Sequence, residues 1–173
     1  MIAFRHTDPR VPFLREHAPQ PPGRWNTPDE LTHYFCDTPD GAWAEFLRHE
    51  EIIDAEDIPT IRRALWAVEI GDELAARPEL PEQTLIGGFA TWADCQREAS
   101  LLRQRGAVAI TAQSAALRSG GAHGWRVDGG LRPGAATDGR VFALFGSRPD
   151  LVGWAATAVG HPKPELLSRV RHF

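Results

Sequence analysis

Lysine, tyrosine and cysteine are scarce in this chain of 173 residues, and each scarcity narrows what the protein can be. Lys163 is the one lysine, so arginine carries nearly all of the positive charge, and Tyr34 is the one tyrosine. The two cysteines, Cys36 and Cys95, do not form a CxxC pair. This pattern predicts two buried free thiols rather than a disulfide framework.

Long apolar runs are also absent from the sequence. No run approaches the roughly 18 residues that a membrane-spanning helix needs, and the N-terminal residues do not form the apolar segment of a signal peptide. We therefore expect a protein of the reducing cytoplasm that does not act on a membrane. The formal net charge of -4 argues against direct nucleic-acid binding through a basic surface, because phosphate neutralisation needs clustered lysine and arginine.

Several catalytic and cofactor motifs are missing as well. The histidines show neither an HxH nor an HExxH pattern, so a metal site is not expected. Neither GxGxxG nor a Walker sequence is present, which disfavours a Rossmann or P-loop nucleotide site. A GxSxG motif is also missing, so a serine-hydrolase nucleophile is not expected.

The elements that are present predict one domain over residues 1–173 with an α+β fold. Strands and helices occur without clean βαβ alternation, which favours a mixed sheet with flanking helices over a doubly wound α/β fold. A strong helix start stands at Thr38-Pro39, with a hydroxyl at the cap and proline at the first helical position. The predicted strands are 2–4, 31–36, 65–70, 107–110 and 141–145, and the predicted helices are 38–51, 91–105 and 149–159. Residues 111–114 are predicted to form a loop.

Four polar or charged side chains are candidates for a site, and each has an ordinary alternative. Arg24 follows a glycine in a turn and either is a surface charge or forks onto a phosphate or carboxylate. Glu45 lies on the flank of a buried helical stripe and either is solvated or stabilises a cationic sugar. Tyr34 either is a sheet residue with a tethered hydroxyl or stacks on a flat ring. Ser114 follows a buried strand and either is an ordinary loop residue or donates to a phosphate or ribose oxygen.

Together with an arginine near the N-terminus, these residues form an ordered set along the chain. The set consists of Phe4-Arg5-His6, Gly23-Arg24-Trp25-Asn26, Tyr34, Ala44-Glu45 and the strand-then-serine element at residues 109–114. In order and approximate spacing it resembles the RES-domain family, bacterial toxins named for an Arg-Glu-Ser set, over most of the chain. Gln113 departs from the pattern, because the family often has proline before the serine.

The resemblance implies an α+β fold similar to ADP-ribosyltransferase toxins, with NAD+ bound in a cleft as substrate and no further cofactor or metal required. It implies cleavage of the nicotinamide–ribose bond by hydrolysis or phosphorolysis, or transfer of ADP-ribose to a protein. The implied partner is a cognate antitoxin with a helix-turn-helix domain that blocks the cleft. A non-catalytic interaction module that keeps the fold is a further alternative.

The resemblance also implies a role for each residue of the set. Arg5 and Arg24 would bind the pyrophosphate or the nicotinamide-ribose side of NAD+, and Tyr34 would stack on the nicotinamide or adenine ring. Glu45 would orient the ribose and stabilise positive charge as nicotinamide leaves. Ser114 would donate to a phosphate or ribose oxygen. The nucleophile that attacks the ribose stays open between water, phosphate and an acceptor side chain.

Overall fold

A mixed β-sheet organises the chain. The computed structural model describes residues 1–16, 20–71, 75–127 and 131–173. Its strands are β1 (Ile2–Thr7), β2 (Thr32–Cys36), β3 (Arg63–Glu69), β4 (Ala75–Ala76), β5 (Ala109–Gln113), β6 (Ala122–Val127), β7 (Leu131–Thr137), β8 (Arg140–Phe145) and β9 (Val152–Gly160). Within the described residues, β4-β5-β8-β2-β1-β3-β9 is the order of the main sheet, and β6 and β7 pair as a separate hairpin. The β4–β5 pair is parallel and the other pairs of the main sheet are antiparallel.

The helices follow from local signals. Helix α1 (Pro39–His49) begins after Thr38, whose hydroxyl accepts the Gly41 amide at 3.0 Å. Short α2 (Glu82–Ile86) precedes α3 (Trp92–Gln104), which ends before Gly106 at φ +90°. A 3₁₀ segment (Pro164–Arg169) packs its buried Leu166 into the core beside α1. None of the described helices combines the length and apolar character that crossing a membrane requires.

Both faces of the sheet are covered. Alternate strand residues point to opposite faces, so Val141 and Ala143 of β8 share one face and Phe142 and Leu144 share the other. The first pair packs in the clusters that contain α1 and α3, so both helices lie on the same face. The second pair packs with strand residues and with Phe13 and Leu14 of the loop after β1.

The centre of the sheet is loosely joined. Strands β1 and β2 pair at one position, Phe4 opposite Cys36, whereas β1 pairs with β3 along its whole length. Strand β2 likewise pairs with β8 along its whole length, from Thr32 opposite Phe145 to Cys36 opposite Val141. Beyond Phe4 and Cys36, no ladder therefore joins β1 to β2 within the described residues.

The predicted α+β class is confirmed, with a mixed sheet and flanking helices. The predicted strands at 2–4, 31–36, 65–70, 107–110 and 141–145 and the first two helices overlap observed elements of the same type. Two local predictions are wrong. Residues 111–113 continue β5 as strand, and the predicted helix at 149–159 is the edge strand β9. The alanines of β9 suit a helix, but backbone pairing with β3 makes the segment a strand. Gly153 packs against the Phe13 ring so closely that a Cβ at this position would lie 2.9 Å from it.

Candidate active site

A cavity of about 530 Å³ opens where β1 and β2 separate, and it lies within the size range of small-molecule sites. Residues of β1, β2 and α1 line it together with the segment 20–26. Four of the five predicted site residues face it: Arg5, Arg24, Tyr34 and Glu45. The fold therefore brings together residues that are up to 40 positions apart in the sequence.

The cavity is electropositive although the chain as a whole is acidic. Its arginines outnumber its carboxylates, with Asp8 and Glu45 as the acids among the described lining residues. The lining arginines are Arg5, Arg15, Arg24, Arg48 and Arg63. Positive side chains concentrated in a concave site attract anionic ligands.

Glu45 is held by Ser114. Glu45 projects from α1 next to the buried Ala44, and its Oε1 accepts the Ser114 hydroxyl at 2.9 Å. Ser114 is fully buried, and its Oγ in turn accepts the amides of Ala116 at 3.2 Å and Leu117 at 3.3 Å. The serine therefore lies beneath the carboxylate and is not among the lining residues, which differs from the direct ligand contact expected from the sequence. Among the described residues, Glu45 Oε2 accepts no hydrogen bond and is available to a ligand in the cavity.

Tyr34 has a tethered hydroxyl and a ring at the cavity wall. The hydroxyl donates to Asn26 Oδ1 at 2.7 Å and accepts the Trp25 amide at 2.9 Å. Burial raises the pKa of the phenol above its ordinary value, so it stays neutral. Gly23 makes this contact possible, because a Cβ there would lie 2.6 Å from Asn26 Oδ1 and 2.7 Å from the Tyr34 hydroxyl oxygen. The hydroxyl of Tyr34 is thus bonded within the protein, and the ring is the part that can contact a ligand.

Arg24 anchors the turn to the α2–α3 segment. Its Nη2 donates to the Gly87 carbonyl at 2.6 Å, and its Nη1 donates to the Thr84 carbonyl and the Thr91 hydroxyl, both at 3.2 Å. These acceptors are neutral, so the positive charge at the cavity wall is not cancelled by a carboxylate contact among the described residues. Cys95, predicted to be a buried free thiol, lies 3.8 Å from Nη1 and is buried and free, as is Cys36.

Arg5 is the least satisfied of the lining cations. Its Nε and Nη1 are buried and have no hydrogen-bond partner among the described residues, and its Cζ lies 5.3 Å from the Phe35 ring centroid. Burial lowers the pKa of its guanidinium to about 10, which still leaves it charged at neutral pH. Buried donors without partners are costly, so an anionic ligand that accepted from Arg5 would recover this cost.

Two further cavity residues escaped sequence reasoning. Arg48 lies three positions after Glu45 on α1 and thus on the same helical face, a spacing that could have revealed it. His6 accepts a hydrogen bond from Arg63 Nη2 at 3.1 Å through Nδ1 and packs edge-on against Phe46. Burial, with the nearby charges of Arg63 and Arg5, lowers the pKa of His6 to about 3, so its ring is neutral and Nδ1 is the acceptor.

The chain is similar to a known protein family in sequence and to a solved structure in fold. Residues 2–159 match the family model described as the RES domain. A crystal structure of the M. tuberculosis MbcT–MbcA toxin–antitoxin complex contains a chain with a similar fold, with a TM-score of 0.58 and 18% sequence identity. That match covers 96% of this chain and 86% of the other chain, and at such low identity it shows the fold alone. None of the curated proteins matches the sequence.

Proposed function

The chain belongs to the RES domain family, and from this membership and the geometry of the cavity we propose that it is the toxin of a toxin–antitoxin system that depletes NAD+. The proposed reaction is cleavage of the nicotinamide–ribose bond, by hydrolysis or by phosphorolysis. One observation carries the proposal: a carboxylate fixed by a buried serine, Glu45 on Ser114, faces a cavity whose lining arginines outnumber its carboxylates.

The chemistry needs what Glu45 supplies. When the glycosidic C–N bond breaks, its electron pair goes to nicotinamide, which leaves as a neutral molecule, and the ribose becomes oxocarbenium-like. A carboxylate beside the ribose stabilises that positive charge as it develops. Water or phosphate then bonds to the anomeric carbon, and a proton is released to solvent when water attacks. No step in this scheme requires a metal ion or a second cofactor.

The other predicted residues bind the substrate in this proposal. Arg5 and Arg24 supply positive charge for the pyrophosphate or the nicotinamide-ribose side. The Tyr34 ring stacks on a planar group of NAD+, because its hydroxyl is already bonded to Asn26 and the Trp25 amide. Ser114 acts on the reaction through the orientation of Glu45.

The proposal includes a cognate antitoxin as protein partner. The similar solved structure is of a toxin–antitoxin complex, which supports this part. We propose that the antitoxin carries a helix-turn-helix domain and covers the cavity, and that the toxin acts in the cytoplasm without a nucleic acid or a membrane as direct target.

Purified protein tests the activity directly. We expect the wild type to consume NAD+ in a fluorescence assay and Glu45→Gln to lower kcat by roughly 10²-fold or more, since the carboxylate acts mainly in the transition state. Glu56→Gln is the matched control, because Glu56 is exposed and lies outside the cavity. Full turnover by Glu45→Gln would remove Glu45 from the mechanism.

The product identifies the reaction type. Mass analysis of the product, with and without phosphate in the assay, distinguishes the two reactions. Hydrolysis yields free ADP-ribose, whereas phosphorolysis yields phosphorylated ADP-ribose. Labelled NAD+ added to a lysate tests the alternative activity, a protein mono-ADP-ribosyltransferase that uses the same cleft, because the label would then appear on protein. Wild-type protein that neither consumes nor transfers NAD+ would favour a non-catalytic interaction module.

A further inference from the structure

Three arginines form a chain of guanidinium groups linked by carbonyl oxygens. Arg24 Nη2 and Arg48 Nη2 both donate to the Gly87 carbonyl, at 2.6 Å and 2.7 Å. The sum of these distances, 5.3 Å, is the upper limit on the separation of the two nitrogens. Arg48 Nη1 donates to the Ala115 carbonyl, which also accepts Arg171 Nη1 at 3.1 Å. We refer to Arg24, Arg48 and Arg171 as the arginine array.

The charge of the array is not balanced by direct contacts. None of its members forms a salt bridge with a carboxylate among the described residues, although other arginines of the chain do. The Nε atoms of all three and Nη2 of Arg171 donate to no described residue, and they are not among the buried donors that lack partners. These N–H groups are therefore accessible to an additional acceptor.

Arg48, at the centre of the array, is the member whose positive charge is most disfavoured by burial. Its side chain is 4% exposed, and burial is the main cause that lowers its pKa to about 10. The charges of Arg24 and Arg171 lower this pKa further, and Glu45 opposes them. A group with two negative charges next to Arg48 would relieve the repulsion and accept the Nε–H groups of Arg24 and Arg48, whose Nη atoms already donate within the protein.

An aromatic wall stands beside the array. The Arg48 Cζ lies 4.5 Å from the centroid of Phe173, which lines the cavity and stacks on Phe89 at a centroid distance of 4.3 Å. Phe173 is about half exposed, and because Phe89 and the Arg48 guanidinium lie against its faces, the ring edge is the part that a ligand can contact. Arg171 and Phe173 follow residue 159, where the match to the family model ends. The array and its wall are thus partly a property of this chain's own C-terminal residues.

We propose that the arginine array is a binding site for a nucleoside diphosphate, with Arg24 and Arg48 on the phosphates, Arg171 adding charge behind them and the base at the exposed edge of Phe173. This inference rests on the proposed function and assigns an orientation to it. Because Glu45 and Arg48 lie about one helical turn apart on α1, the ADP half of NAD+ occupies the array while Glu45 reaches the nicotinamide ribose. Arg5 then belongs to the nicotinamide half.

Binding of ADP to the full chain tests the site without any turnover. Calorimetry on the wild type should detect ADP and should find adenosine, which lacks phosphates, bound at least tenfold more weakly. Arg48→Lys keeps the charge but loses the Nε–H donor and the carbonyl contacts that hold the guanidinium in place, and it should weaken ADP binding by about tenfold or more. Arg171→Gln, at a more exposed position, should weaken it by roughly threefold through lost Coulomb attraction.

Arg105→Gln is the matched control, because Arg105 is exposed and donates no side-chain hydrogen bond to a described residue. It should bind ADP as the wild type does, and circular dichroism should show each variant folded. If Arg48→Lys does not fold, Arg171→Gln and the ADP-to-adenosine ratio still decide the outcome. ADP affinity that stays unchanged in Arg171→Gln, or that equals adenosine affinity, overturns the site. Binding of an acidic peptide without binding of ADP does the same. ADP binding without NAD+ cleavage would instead refute the proposed reaction and leave the site in place.

Discussion

Replacement of Ser114 by alanine tests how the carboxylate of Glu45 is held. The serine hydroxyl donates to Glu45 Oε1 at 2.9 Å and accepts two backbone amides, those of Ala116 and Leu117. The substitution removes all three contacts and adds no atom, so the fully buried site is not overpacked. The variant therefore tests the effect of losing the hydrogen bonds without the effect of added side-chain volume.

The size of the effect follows from the type of bond that is lost. A hydrogen bond to a charged group contributes about 1.5–3 kcal/mol, and the substitution also leaves the buried amides of Ala116 and Leu117 without their acceptor, which adds to the cost. Water in the cavity can replace the serine at Glu45 but not at these buried amides, so we expect a loss of stability of about 2–4 kcal/mol. Loss of a fixed orientation at the carboxylate should lower kcat by about 10- to 30-fold and leave KM within about twofold.

Two measurements check this prediction. Urea unfolding followed by circular dichroism gives the change in the free energy of unfolding, and steady-state NAD+ turnover gives kcat and KM. Ser168→Ala is the control, because the Ser168 hydroxyl is exposed and donates to the Glu165 carbonyl on the surface. Its effect on stability should stay within about 0.5 kcal/mol.

Two results would refute the reasoning. An unchanged urea midpoint together with an unchanged kcat would mean that the bond between Ser114 and Glu45 does not orient the carboxylate. A raised KM with unchanged kcat would mean that Ser114 contacts the substrate itself, which is the role expected from the sequence.

Two further predictions concern stability. Gly23→Ala should lower the free energy of unfolding by about 1–3 kcal/mol in thermal denaturation, because the new Cβ would displace the bonded pair Asn26–Tyr34, whereas Gly71→Ala, with open space around its Cβ, should not. His6 has a pKa of about 3 in the fold, so the unfolded chain binds its proton first. The contribution of neutral His6 to the free energy of unfolding is therefore fully present above about pH 6.5 and is lost as the pH falls toward 3. Urea unfolding at pH 7 and pH 4.5 should show this loss, and a His6→Phe variant that lost as much stability would contradict it.

Local chemistry explains which parts of the fold could be predicted. The hydroxyl of Thr38 and the ring of Pro39 start α1 through contacts within one turn, so the helix and the flanking position of Glu45 follow from a few adjacent residues. Strand β9 is different, because its alanines and glycines suit several conformations and its pairing partner, β3, lies about 90 residues earlier in the chain. The hairpin of β6 and β7 was not predicted either, because its pairing rather than its composition defines it.

The site divides in the same way. The turn at Arg24 and the flank position of Glu45 are local features, and the structure brings both to one cavity. The direction of the Ser114 hydroxyl depends on α1 lying over the end of β5, and no neighbouring residue reports it. The arginine array depends on carbonyls of Gly87 and Ala115, and a backbone acceptor leaves no signature in a sequence.

The single pairing between β1 and β2 has a consequence for how the cleft comes into being during synthesis. Tyr34 lies on β2, which is held along its length by β8, and Arg5 lies on β1, which is held along its length by β3. A nascent chain that stops before Arg140 therefore already contains all five predicted site residues but lacks the strand that fixes one wall of the cleft. Because domains complete their long-range pairing only after the partner strands have emerged, the geometry of the cleft arises only after β8 has been synthesised. A finished cleft is thus delayed until β8, a strand that contributes none of the five residues, has paired with β2.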